Sequence, residues 1–212
     1  VGAVQGGFPP IGLPQGITWS DVDDVLGIAA SCLILIIAQS AATAAAFAID
    51  DRDPDYDGLA ARFLDIYAGR LCDDSRLFDG IPELLDTVEA LRLGWGIVTN
   101  KRMRFTDPLV AWLQLAPRTP CVVSGDTTAA AKPSPLPILH ACALLGCVPQ
   151  RTLYVGDDRR DIEAGHNAGC RTVAVSYGYL GDSGPLATWG ADLIVDHPDE
   201  LGDYLSRSVA PR

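Results

Sequence analysis

Three short stretches of this chain carry side chains that could do chemistry together. Gly156-Asp157-Asp158-Arg159-Arg160-Asp161 follows the apolar run Leu153-Tyr154-Val155 and leads into helix-like sequence as far as Gly169. A glycine that lets the chain turn sharply, with carboxylates just past a buried strand, is a way to hold a hard cation. Mg²⁺ fits that description, because it takes oxygen ligands and works beside phosphate groups. Upstream, Trp95-Gly96-Ile97-Val98 ends in the hydroxyl of Thr99 and the amide of Asn100. Between the two stretches, Ala131-Lys132-Pro133 sets a single lysine ahead of a proline-started helix. Asp157 and Asp161 alone also describe a helix N-terminus whose acids suit the macrodipole. Only the whole set gives its members significance.

Such groups need a scaffold that brings them together. Strands are expected near 95–99, 121–124, 152–155, 171–175 and 192–195, and helices near 105–114, 134–145, 159–168 and 197–206. Short apolar strands alternating with amphipathic helices imply an α/β fold, a Rossmann-like doubly wound parallel sheet covered on both faces. Sites in such sheets lie at the C-terminal strand ends, where Thr99, Lys132 and Asp157 all fall. Nearer the N-terminus, Leu59, Phe63, Tyr67 and Leu71 share one face of an expected helix over Tyr56–Cys72. Gly80-Ile81-Pro82 starts another, with Leu85, Val88 and Leu91 inward and Gly94 ending it.

The 212 residues carry a net charge of −11. An acidic surface disfavours nucleic acid and anionic membranes as partners, and it obliges a phosphate ligand to find a local cation. Six cysteines without CxxC spacing read as reduced thiols of a cytoplasmic protein. No His/Cys cluster has zinc spacing, and the chain holds neither a Walker-type loop nor GxGxxG. His140 reads as a packed or edge residue of a helix, His166 as a surface residue, and His197 as part of the last connection. Residues 1–51 contain no Lys or Arg, and Val25–Ile49 contains no charge at all. That run is long enough to span a bilayer, which needs about 20 apolar residues. It has no basic flank, however, and its Ala-rich half is only mildly apolar, so a buried helix or strand pair is expected rather than an anchor.

In type and order, Thr99, Lys132 and Asp157/Asp161 resemble motifs II, III and IV of the haloacid dehalogenase superfamily of phosphatases. The resemblance implies a partial helical cap near the N-terminus. It divides the chain into an atypical, non-homologous segment 1–52, a cap remnant 53–75 and a core 76–212. It also implies a reaction in which one Asp attacks phosphorus to give an aspartyl-phosphate, a second Asp two residues on serves as acid and base, and Mg²⁺ bridges nucleophile and phosphate. On this pattern Asp157 binds the metal directly, Asp161 supports it, and Asp158 is a ligand or an orienting neighbour. Lys132 neutralises phosphate charge, and Thr99 and the Asn100 amide donate hydrogen bonds to phosphate oxygens. These roles suit a chemistry of positioning and charge neutralisation. Leu77-Phe78-Asp79-Gly80-Ile81, Ser124-Gly125-Asp126 and Ser176-Tyr177-Gly178-Tyr179-Leu180-Gly181-Asp182 resemble the phosphoglycolate phosphatase branch, to which N-acetylmuramic acid 6-phosphate phosphatases are very similar. The implied substrate is therefore a small phosphorylated metabolite, 2-phosphoglycolate first and N-acetylmuramic acid 6-phosphate as the alternative. A receiver domain also uses acids, Thr and Lys, but there the acidic pair comes first and the Lys last.

The nucleophile is the missing piece. The family's motif I is an apolar strand followed by DxDx[TV], and its literal match here is Asp21-Val22-Asp23-Asp24-Val25, with Asp21 as nucleophile and Asp23 as acid/base. Gly16–Ser20 before it makes a poor buried strand. The other candidate for the central strand, Leu33–Ala38, is strongly β-like but runs into Gln39-Ser40, without a carboxylate. Two readings stand: a complete enzyme using Asp21 and Asp23, or a catalytically dead or truncated relative whose central sheet position is empty or filled by the 33–38 run. The absence of basic residues before Arg52 and the start at Val fit a replaced N-terminus, as a shifted reading frame would produce.

Overall fold

The computed structural model describes residues 32–35, 56–73, 75–180 and 183–209. Within them, six strands form one sheet: β1 Cys32–Leu35, β2 Gly94–Val98, β3 Val122–Val123, β4 Thr152–Gly156, β5 Arg171–Val175 and β6 Leu193–Val195. Every pairing is parallel, in the order β3-β2-β1-β4-β5-β6. This is the doubly wound α/β sheet expected from the alternation. The strands are apolar on both faces because helices cover both. Ile97 and Val98, Tyr154 and Val155, and Val173 and Ala174 are all buried consecutive pairs.

The helices are α1 Tyr56–Arg70, α2 Ile81–Ala90, α3 Met103–Trp112, α4 Leu136–Leu145, α5 Arg159–Ala168 and α6 Pro198–Val209. In α2, Ile81, Leu84, Leu85 and Val88 recur at helical spacing and are buried. With Leu201 and Leu205 of α6 and Val110 of α3 they close one face of the sheet over Trp95, Ile97 and Val173. Ile138, Ala141 and Cys142 of α4 and Ala164 and Ala168 of α5 close the other over Val98, Val123 and Tyr154. Helix α1 lies on α3, where Leu71 packs with Phe105 and Leu109. The Tyr67 and Phe105 rings meet edge-on at 5.2 Å between centroids. Of the apolar face expected for this helix, Tyr67 and Leu71 are seen to pack; the side chains of Leu59 and Phe63 lie outside the described residues.

The centre of the sheet is taken by part of the 33–38 run. Strand β1 pairs with β2 from Cys32↔Gly94 to Leu35↔Ile97 and with β4 from Cys32↔Thr152 to Leu35↔Val155. In sequence it leads into Ile36-Ile37-Ala38-Gln39-Ser40, and no Asp or Glu follows until Asp50. Asp21 and Asp23, and the rest of the uncharged run 25–49, lie outside the described residues. Among the described residues no helix is long and apolar enough to cross a membrane.

Candidate active site

Strand β2 ends at Val98, and the next three residues turn back on themselves. Thr99 is buried; its N–H donates to the Val123 carbonyl at 2.9 Å, and its Oγ1 accepts the Lys101 N–H at 3.1 Å. A hydroxyl that accepts in this way keeps its own proton to donate outward. Asn100 reaches across to the lysine loop. Its Oδ1 accepts the Lys132 N–H at 2.9 Å, and its Nδ2 donates to the Lys132 carbonyl at 3.0 Å. The expected phosphate ligand is thus first a two-point clamp on the backbone of Lys132. The Ser124-Gly125-Asp126 loop braces the same turn. The Gly125 N–H donates to the Lys101 carbonyl at 2.8 Å, and Asp126 Oδ1 accepts the Met103 N–H at 2.8 Å.

Lys132 is 5% exposed. Its Nζ lies 2.7 Å from Asp161 Oδ1 and donates to the Val98 carbonyl at 3.2 Å. Two of its three protons are so placed, at the ends of β2 and α5. A buried ammonium is tolerable only with such partners. Asp161 is 2% exposed, and its Oδ2 accepts the Asp158 N–H at 3.1 Å. Asp158 in turn caps α5 by accepting the Arg160 N–H at 2.8 Å. Burial raises the Asp158 carboxyl, but the Arg160 guanidinium, 2.6 Å away, outweighs it and holds the group below its ordinary range. Asp158 thus closes the helix start with its side chain and meets Asp161 through its N–H. Strand β4 ends in glycine because nothing larger fits: a Cβ on Gly156 would stand 2.3 Å from the Asp161 Cβ.

Asp157 differs from its neighbours. It is 5% exposed, and among the described residues no basic side chain forms a salt bridge to it. Its Oδ2 accepts the Tyr179 N–H at 2.8 Å. Burial pushes its carboxyl up to about 6, against the pull of that N–H. The tyrosine–glycine loop after β5 therefore belongs to the site, a role that sequence reasoning left unassigned. Gly178 was the available signal, since a Cβ there would stand 2.2 Å from the Asp157 Cβ. The three histidines are elsewhere. His166 sits 2.9 Å from Thr172 Oγ1, His197 lies half exposed ahead of α6, and His140 is exposed rather than packed.

The donor set suits a hard cation in part. Asp157 is a buried carboxylate without a salt bridge among the described residues, and its burial outweighs the pull of Lys132; an oxygen-preferring ion relieves that condition. Asp161 has both oxygens engaged, by Lys132 and by the Asp158 N–H. Among the described residues no cluster of three or more His, Cys, Asp or Glu is placed to enclose a metal. Among the described residues the site thus offers one open carboxylate, and Mg²⁺ sites of one or two carboxylates completed by phosphate and water are usual.

Comparison with known proteins gives the family. The family model described as haloacid dehalogenase-like hydrolase matches residues 35–175, from the end of β1 to the end of β5. The N-acetylmuramic acid 6-phosphate phosphatase of Pseudomonas aeruginosa is 47% identical over 169 residues, 80% of this chain and 75% of that protein. A phosphoglycolate phosphatase of Xanthomonas campestris pv. campestris is 40% identical over 146 residues, 68% of this chain and 66% of that one. Among solved structures, a predicted phosphoglycolate phosphatase from Haemophilus somnus superposes with a TM-score of 0.68 at 27% identity, over 75% of this chain and 70% of that one.

Proposed function

The chain belongs to the haloacid dehalogenase-like hydrolase family, and from that premise we propose that it is a Mg²⁺-dependent phosphomonoester hydrolase acting on a small phosphorylated metabolite in the cytoplasm. The observation that carries this reading is the buried Lys132, fixed by Asp161, Val98 and Asn100 between the strand ends that bear Thr99 and Asp157. A phosphate seated there takes hydrogen bonds from the Thr99 hydroxyl and the Asn100 amide, and charge neutralisation from the remaining proton of Lys132. Asp157 would hold the metal, and Asp161 acts through Lys132 more than as a ligand. Bound Mg²⁺ supplies charge neutralisation at the phosphate oxygens. Helix α1, which packs on α3, would be the cap remnant. Of the two substrates that the relatives are named for, N-acetylmuramic acid 6-phosphate is the better supported, since the relatives named for it align more closely and over more of the chain. This reverses the preference for 2-phosphoglycolate drawn from the loop motifs.

One observation favours a second reading, a protein that binds phosphate and Mg²⁺ without turnover: the central strand is the one whose sequence continues to Gln39-Ser40. Hydrolysis of both phosphates, with and without Mg²⁺, by the parent and by Asp21→Asn and Asp157→Asn separates the two. Metal-dependent turnover lost in both variants supports the enzyme with Asp21 as nucleophile. A folded parent that binds phosphate but releases none supports the second.

A further inference from the structure

At the end of the sheet remote from Thr99 and Asp157, Cys121, Cys142, Cys147 and Cys170 share one packed cluster. Helix α4 stops where Gly146 turns left-handed at φ 65°. The Gly146 N–H donates to the Ala143 carbonyl at 3.3 Å, and the Cys147 N–H to the Cys142 carbonyl at 3.0 Å. This pair of bonds is the Schellman ending, which sets the second residue past the helix against one in its last turn, commonly as an apolar contact. Here both residues are cysteines. Their sulfurs reach one hydroxyl, with Thr152 Oγ1 3.6 Å from Cys142 Sγ and 3.4 Å from Cys147 Sγ. Cys142 is buried and Cys147 half exposed. Helix α5 ends in the same way, its Cys170 N–H donating to the Gly165 carbonyl at 2.9 Å, and so brings a third thiol to the cluster. Hydrogen bonds, chiefly from Cys170 and then from Thr152 and Cys147, hold the Cys142 thiol below its ordinary range despite burial. The same bond to Cys142 keeps Cys170 protonated.

We infer that Cys142 and Cys147 are a dithiol oxidised by hydrogen peroxide to a disulfide, a covalent modification site separate from the phosphate centre. The sulfur of Cys147, a less buried residue than Cys142, takes one oxygen from the peroxide and becomes a sulfenic acid, and water leaves. The Cys142 thiolate attacks that sulfur; the S–S bond forms, the S–O bond breaks, and hydroxide leaves and takes up the proton that Cys142 gave up. Two thiols lose two hydrogens, and the peroxide is reduced to two waters. The backbone bond that closes the helix end brings the two chain segments together, as a disulfide requires. Cys170 is the poorer partner, because it follows the other helix and its N–H closes α5, whereas the Cys147 N–H bonds directly to Cys142.

The reduced full chain is treated with a small molar excess of hydrogen peroxide, alkylated in denaturant and digested with trypsin. Because Lys132 precedes Pro133, Cys121, Cys142 and Cys147 fall on one peptide, Thr119–Arg151, and Cys170 on another. The expected product is that peptide two hydrogens lighter, with Cys121 alkylated, restored by dithiothreitol and absent from Cys147→Ser. Full alkylation of Cys142 and Cys147 overturns the inference. So does a link joining the two peptides through Cys170, or sulfinic acid on Cys147 without a link. The parent alone decides the matter if the variant fails to fold.

Discussion

Asp157 and the Lys132–Asp161 pair are buried alike but compensated differently, and two predictions follow from that contrast. Asp157 has a folded pKa of about 6, above the usual carboxylate value near 4. A carboxyl raised on folding stabilises the fold in acid and loses that contribution as pH rises through its folded value. In the metal-free protein, Asp157→Asn should therefore match the parent near pH 4 and exceed it by up to about 3 kcal/mol near pH 7, because the amide avoids burying a charge. Mg²⁺ should raise the parent's melting temperature and leave the variant's unchanged. Urea unfolding across pH, with and without the metal, tests both; parallel pH curves would refute the assignment. Lys132 and Asp161 are already paired at 2.7 Å. Asp161→Ala leaves an unmatched buried ammonium and should cost about 3–5 kcal/mol, whereas replacing both partners by apolar residues should cost much less. A double-mutant cycle in urea measures the difference, and equal losses would mean that the pair is not desolvated.

At the scale of elements, what the sequence disclosed depends on where each cap comes from. Helix α5 was expected at 159–168 and is found there, because Asp158 and Gly169 close its two ends locally. Helix α3 was expected at 105–114 and runs Met103–Trp112. Its first N–H is capped by Asp126, 23 residues away, which no local pattern reveals. Helix α4 starts at Leu136, not 134, since the chain is still turning at Ser134. Thr99, Lys132 and Asp157 were legible as residue types at strand ends. The Tyr179 N–H and the clamp by Asn100 were not, because both contacts cross more than twenty residues of chain. The distant cap has a measurable consequence. Asp126→Ala should destabilise the protein by about 1 kcal/mol, the usual loss for an N-cap. By loosening the Thr99–Lys101 turn it should also weaken phosphate binding several-fold. Asp126→Asn, which keeps an acceptor, should restore most of both. Calorimetric titration with inorganic phosphate beside thermal melts is the check, and an affinity unmoved in Asp126→Ala would detach that loop from the site.

For the molecule as a whole, the central strand and the net charge matter most. Strand β1 joins Cys32–Leu35 to partners near residues 94 and 152, and pairing over such separations is fixed by the assembled sheet rather than by local sequence. This is why the sequence left that position open between two runs. The charge of −11 acts on every phosphate that approaches. At about 10 mM salt the Debye length is about 30 Å, so carboxylates across the whole surface repel the ligand; at about 150 mM it is about 8 Å and only near groups act. Lys132 and its neighbours are buried, and salt weakens their attraction far less. Phosphate affinity at fixed Mg²⁺ should therefore rise several-fold as NaCl goes from about 10 to about 150 mM, opposite to the trend of a basic phosphate site. Inorganic phosphate titrations along that salt series give the sign directly. Affinity falling throughout the range would mean that exposed basic groups, not the buried corner around Lys132, carry the binding.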